Sequence, residues 1–198
     1  MNKTFGLAVA VALTAQVAVA QVADPATSTV KTLQDGLLSI MHAGGKAGVA
    51  GRSKMIAPVI DNSFDIPLMT RLAVGPPWTG FSAGEKQDLV VGFRSLTIAQ
   101  HAKNFDGFSG QHFEVTPQVQ TRGTDKLVRT KLVSSKGSSE SLNYRLRQSG
   151  GKWKIIDVYY RNSISQLATR RSDFATVIKK GGAPALIGHL NRLAAKPD

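Results

Sequence analysis

The spacing of apolar residues divides the chain into three stretches. Over residues 29–104 they recur every three to four positions, over 111–161 they alternate, and from 162 the helical spacing returns. A first helix is predicted over 29–43, with Val30, Leu33, Leu37, Ile40 and Met41 on one stripe and Gly44-Gly45 closing it. Residues 22–28 read as a polar lead-in to it. A second helix is predicted over 48–62, carrying Met55, Ile56, Val59 and Ile60. Asp65 then caps a short helix with Ile66, Leu68, Met69, Leu72 and Ala73. Pro67 sits in its first turn, where the missing N–H costs least. Gly75-Pro76-Pro77 ends that helix, and Trp78 follows in the turn. Ser82-Ala83-Gly84-Glu85 has the form of a capping box and opens a helix to about Asn104, with Leu89, Val90, Phe93, Leu96, Thr97 and Gln100 at helical spacing.

Period two begins after Gly107 and Gly110. A strand over 111–120 puts Phe113, Val115 and Val119 on one face. One over 125–134 sets Val128, Thr130 and Leu132 against Arg129 and Lys131. One over 140–148 alternates Leu142, Tyr144 and Leu146 with Asn143, Arg145 and Arg147. A fourth, over 152–161, reads as apolar on both faces through Trp153, Ile155, Ile156, Val158, Tyr159 and Tyr160. Short turn-rich linkers join them, so the expectation is a four-stranded antiparallel meander. One apolar sheet face needs a cover, and the amphipathic helices supply it, giving an α+β domain. The tail reads as a helix over 162–178 with a break near Arg170, stopped by Gly181-Gly182, and a last helix from Pro184 carrying Leu186, Ile187, Leu190 and Leu193.

The N-terminus stands apart from these patterns. Lys3, the apolar run 5–13 and Ala18-Val19-Ala20 before Gln21 have the layout of a cleaved secretory signal peptide over 1–20. The run is shorter than the roughly 20 apolar residues that a spanning helix needs. The expectation is a single exported domain over 21–198, soluble and outside the cytoplasm. The 198 residues contain no cysteine, which excludes disulfides, thiolate metal sites, a cysteine nucleophile and a lipoprotein anchor cysteine.

Candidate catalytic chemistry is sparse. Gly80-Phe81-Ser82-Ala83-Gly84 matches the G-x-S-x-G elbow of serine hydrolases, but that elbow needs a strand before the serine, and Gly75-Pro76-Pro77-Trp78 is no buried strand. Ser82 is better read as a helix cap. His42, His101, His112 and His189 show no metal-ligand spacing, and Asp61 and Asp65 read as a solvated carboxylate and a cap, not an acid/base pair. No catalytic residue, metal or cofactor is expected. Twenty-five Lys and Arg against 13 Asp and Glu give a formal charge of +12, with local clusters at Arg170-Arg171 and Lys179-Lys180. For an exported protein the partner implied is an anionic lipid surface or an acidic protein, not nucleic acid.

Taken in order, Val59-Ile60-Asp61-Asn62-Ser63-Phe64-Asp65, then Met69-Thr70-Arg71-Leu72-Ala73-Val74-Gly75 and Trp78, resemble the core of the MlaC family, also called the toluene-tolerance auxiliary family. Trp153-Lys154-Ile155-Ile156-Asp157-Val158 and Ser163-Ile164-Ser165 resemble its last strand and the turn after it. Phe174, Gly181-Gly182 and Leu186-Ile187 resemble its tail. The resemblance implies a periplasmic lipid-binding protein whose sheet curves around a lipid cavity, NTF2- or cystatin-like in appearance. Its implied role is to shuttle phospholipid between an outer-membrane lipoprotein complex and an inner-membrane ABC transporter, in support of outer-membrane lipid asymmetry. Asn104-Phe105-Asp106-Gly107-Phe108-Ser109-Gly110, Phe113 and Ser165-Gln166-Leu167-Ala168-Thr169-Arg170-Arg171-Ser172-Asp173-Phe174 are similar to the hopanoid-associated HpnM branch. Ile98-Ala99-Gln100-His101 stands where the phospholipid branch has a tyrosine-rich stretch. The implied cargo is thus a phospholipid or a hopanoid.

Transfer energies make such a carrier necessary. At about 0.8 kcal/mol per methylene, a lipid with roughly 30 of them loses on the order of 24 kcal/mol if drawn bare into water. The pattern nominates a helical cavity wall of Phe64, Leu68, Met69, Leu72 and Trp78, with Phe93, Leu96 and Phe108 behind it. It nominates a sheet wall of Phe113, Val115, Val128, Leu132, Leu142, Tyr144, Leu146, Ile156, Val158 and Tyr160. Packed core is the alternative for each of these positions. A non-lipid adaptor of a periplasmic complex is the competing function, and an enzyme on a similar scaffold a third.

Overall fold

The computed structural model describes residues 24–196, and the expected signal peptide lies outside them. Helix α1 (Pro25–Ser63) begins inside the expected lead-in. Asp24 accepts from the Ala26 N–H at 2.9 Å, Pro25 fills the first position, and Ala26 is buried, so helix replaces the polar lead-in over residues 25–28. The two helices expected over 29–43 and 48–62 are the halves of α1, joined by a kink where Gly44 (φ 54°) and Gly48 (φ 59°) leave helical geometry. The halves double back on each other closely enough that a Cβ on Gly36 would lie 2.8 Å from Val59. The buried Arg52 pins the kink, donating from Nε to the Ala102 carbonyl (2.7 Å) and from Nη1 to the Gly44 carbonyl (2.6 Å).

Helix α2 (Ile66–Val74) is capped by Asp65, which accepts from the Leu68 N–H at 3.0 Å. A short 3-10 turn (Pro76–Gly80) leads to helix α3 (Ala83–Asn104). Here Ser82 and Glu85 close the capping box in both directions, at 3.2 Å and 2.8 Å. Ser82 is thus a helix cap preceded by a turn, not a nucleophile preceded by a strand.

The sheet has seven strands, where four were expected: β1 (His112–Val115), β2 (Gln120–Arg122), β3 (Asp125–Val128), β4 (Thr130–Val133), β5 (Ser139–Ser149), β6 (Lys152–Tyr160) and β7 (Ile164–Ser165). All pairings are antiparallel, so the meander survives with its first two members each divided in two. The first divides because the chain leaves the ladder over residues 117–119, after a last backbone bond from the Thr116 N–H to the Arg129 carbonyl (2.9 Å), and Pro117 has no N–H to give it. The second divides at Arg129, where the Thr130 N–H donates to the Asn143 side chain (3.1 Å) and not to backbone.

Strand β6 is also not apolar on both faces. Its register against β5 slips by one residue between Arg145–Asp157 and Leu146–Ile155, leaving Ile156 in a bulge. The slip resets the parity. Trp153 and Ile155 before the bulge, and Val158 and Tyr160 after it, therefore face the same way as Leu142, Tyr144 and Leu146.

Helix α4 (Gln166–Ala195) starts later than the expected 162, after β7, with Ser165 accepting from the Ala168 N–H at 2.9 Å. It runs through Arg170 without a break and kinks at Gly181 and Gly182. Asp157 ties it to the sheet, accepting from the Ser165 hydroxyl (2.6 Å) and the Leu167 N–H (3.0 Å). The helices pack on one face of the sheet around Leu33, Ile40, Ile60, Leu89, Phe174 and Leu186, all fully buried. The Phe93 and Phe174 rings meet edge-on at 6.2 Å.

Candidate functional site

The inner face of the sheet has a filled end and a hollow end. At the filled end α1 lies on the sheet: the Thr29 hydroxyl donates to the Trp153 carbonyl (2.8 Å), Asp24 pairs with Lys126 (2.6 Å), and Phe64 bridges to Ile155. Val128, Leu146 and Ile156, expected on the cavity wall, are packed core there instead. The hollow end is a cavity of about 610 Å³ between the far half of the sheet and α3, α2 and α4.

Its walls contain Leu132, Leu142, Tyr144, Val158 and Tyr160 from the sheet, and Phe64, Met69, Phe93 and Leu96 from the helical side, all nominated by the sequence pattern. The remaining nominees lie elsewhere. Leu68 and Leu72 sit about a fifth of a turn or more away from the inward stripe of α2 that carries Ile66, Met69 and Ala73, and are half-buried. Trp78 is half-buried in the 3-10 turn. Phe108 is 40% exposed and lies against His42, their rings tilted by 31° with centroids 3.7 Å apart. Phe113 and Val115 are half-buried on edge strand β1, outside the cavity.

Several wall residues were not nominated. Leu37 and Leu167 read as ordinary helix core, and Phe105 follows α3. Thr97, Gln100, His101 and Asn104 form a polar stripe along α3. The signal for these was present, because Thr97 and Gln100 fall at helical spacing with Phe93 and Leu96, polar residues on an otherwise apolar face. Glu140, Gln166 and Arg170 complete the lining. Asn104, Glu140 and Gln166 are exposed, which marks the open side, whereas Thr97 and Phe93 lie buried toward the interior.

His101 and Tyr144 are among the titratable side chains that line the cavity. Burial pushes the His101 imidazole below its ordinary range, against a backbone hydrogen bond with the Thr97 carbonyl that works the other way. Burial likewise pushes the Tyr144 phenol up. Both side chains are therefore uncharged at neutral pH.

The opposite face of the sheet is basic and built from the alternate positions of the same strands. Burial there would raise the Asp125 carboxyl, but hydrogen bonds from Arg147 (2.6 Å) and Arg145 (2.6 Å) outweigh it and hold the group below the usual carboxylate range. A smaller polar recess of about 330 Å³ on this face is lined by Arg122, Arg129, Asn143, Tyr159 and Asn162 among others. Asp61 is exposed, as expected, and also pairs with Arg94 through two contacts of 2.6 and 2.7 Å. Among the described residues there is no group of three His, Asp or Glu side chains that could hold a metal, and no helix long and apolar enough to cross a membrane.

Comparison with known proteins agrees with this architecture. The phospholipid-binding protein from Ralstonia solanacearum, solved in complex with a phospholipid, is 26% identical to this chain, with a TM-score of 0.75 over 86% of this chain and 97% of its own. An iota-carbonic anhydrase from a cyanobacterium, complexed with bicarbonate, is 14% identical over 75% of this chain and 96% of its own; its TM-score of 0.43 is too low to bear on the argument. No curated protein matches. The family described as MlaC protein matches residues 31–192, nearly the whole described fold, and the chain belongs to that family.

Proposed function

We propose that this protein is a periplasmic lipid carrier that takes one phospholipid or hopanoid at a time between the inner and outer membranes, as the soluble component of an ABC-transporter-linked system, within the HpnM-like branch of its family. The observation that carries this reading is the apolar cavity with one open side. A mainly apolar lining around a space of this size favours acyl or polycyclic hydrocarbon over water. The relation to a protein solved with a phospholipid supports the same cargo class.

The mechanism needs no chemical step. The sheet and α3 replace the membrane around the hydrocarbon, and the polar end of the lipid stays at the rim formed by Asn104, Glu140 and Gln166. Release requires a partner that offers an equally apolar environment, because desolvation dominates the barrier. The test is to purify the protein from a bacterial periplasm, extract it with organic solvent and identify the extract by mass spectrometry. About one lipid per protein is expected. A folded protein that carries none, and takes none up from vesicles, contradicts the carrier reading and favours a non-lipid adaptor.

A further inference from the structure

The polar stripe of α3 places a half-buried imidazole in the lining of the cavity. The His101 ring lies between Phe64, edge-on at 5.6 Å, and Phe105, stacked at 6.2 Å. Its Nδ1 is 2.7 Å from the Thr97 carbonyl oxygen. A carbonyl only accepts, so Nδ1 carries the hydrogen and Nε2 keeps its lone pair. With Nδ1 turned back onto its own helix, Nε2 lies on the far edge of the ring. It has no hydrogen-bond partner among the described residues, although His101 lines the cavity. Burial keeps the ring neutral, so this edge accepts and does not donate.

Tyr144 repeats the situation from the sheet side. It lines the same cavity and is 2% exposed, and its hydroxyl has no hydrogen-bond partner among the described residues either. Once a cargo fills the cavity and shuts water out, a polar group left unpaired there costs about 1–3 kcal/mol. A cavity meant only for hydrocarbon would place Phe and Leu at these positions and avoid the penalty. The Thr97 hydroxyl, by contrast, is satisfied within the helix by the Phe93 carbonyl at 2.8 Å.

We propose that His101 Nε2 and Tyr144 Oη form a hydroxyl-recognition subsite within the cavity, so that the preferred cargo is a lipid with a free hydroxyl on its hydrophobic body. The cargo O–H donates to Nε2, and Tyr144 donates to an oxygen of the cargo. A phosphodiester fits this position poorly, because its anionic oxygens only accept and would meet the imidazole lone pair; such a group belongs at the solvated rim. The proposal rests on the carrier reading and narrows it.

A matched pair of probes tests it. Lipid-free protein is titrated with hexadecan-1-ol and with its methyl ether, each displacing a fluorescent fatty acid. The two probes differ by one donor hydrogen and one methyl group. The alcohol is expected to bind about tenfold more tightly, from the worth of one buried hydrogen bond. His101→Phe is expected to bring that ratio close to one while hydrocarbon binding persists. In the unmodified protein the His101 Nε2 resonance is expected to move on addition of the alcohol and to stay in place with the ether, a readout that does not depend on how the variant folds. Equal binding of both probes to the unmodified protein, or an unmoved Nε2 resonance, overturns the hydroxyl subsite and leaves the carrier reading standing. Binding of neither probe, by a protein that also purifies without lipid, overturns both.

Discussion

At the scale of single residues, two sets of polar side chains stand apart. Arg52, Asp125 and Asp157 are each held by more than one partner, and each fastens one element to another: the α1 kink to the end of α3, β3 to β5, and β6 to the start of α4. His101 and Tyr144 face the cavity with atoms to spare. None of these roles can be read from the sequence, since a lone arginine or histidine in a helical stripe looks the same whether it faces water, a carbonyl or a cavity. His101 nevertheless has a consequence in solution. Unfolded, its imidazole protonates near its ordinary value of 6.5; folded, burial delays protonation to lower pH. Below about 6.5 the unfolded chain therefore binds more protons, so this stabilising contribution is complete above that pH and drains away as the pH falls through the lowered folded value. Urea denaturation midpoints should accordingly drop between pH 7.5 and 5.5, and the drop should shrink in His101→Phe. An unchanged pH dependence in that variant would show that the ring is not buried as described.

The elements were largely legible where the code is local. Asp65 with Pro67, and Ser82 with Glu85, announce helix starts through side chains that satisfy orphan amides, and both caps appear where the residues stand. Ser82→Ala should cost about 1 kcal/mol in thermal or chemical denaturation and leave lipid content unchanged, because the cap stands clear of the cavity. Loss of lipid in that variant would mean that the start of α3 does more than hold the helix. The strands were less legible because their interruptions depend on neighbours. The bulge at Ile156 left a trace, two adjacent isoleucines where alternation should have put one, but only the pairing with β5 shows that the doublet resets the parity. The division at Arg129 is set by the Asn143 side chain from the next strand, which no local pattern encodes. At the ends of α1 and α4 the expected boundaries missed helical residues 25–28 and inserted a break at Arg170, which is helical.

At the scale of the molecule, alternation along a strand shows which side is turned from water and is silent on what lies there. The same inward stripe runs from Val128 and Leu146, sealed under α1, to Leu132, Leu142, Val158 and Tyr160, which look into open space. Whether an inward residue is core or wall thus depends on how far the helices reach across the sheet, a property of tertiary packing. Half of the nominated residues accordingly line the hollow, and the others lie in the core, at the sheet edge or on the surface. The central claim is that this space holds lipid, and the direct measurement compares the two faces of the sheet. Val158→Asp and Leu142→Arg place charge inside the hollow; Lys131→Glu, an exposed position on the opposite face, leaves it untouched. Each variant is purified from a periplasm, checked for fold by circular dichroism, and its lipid-to-protein ratio counted by mass spectrometry. The Lys131 variant should match the unmodified protein at about one lipid per chain while the two inner-face variants carry none; folded inner-face variants with undiminished lipid would contradict the placement of cargo between sheet and helices.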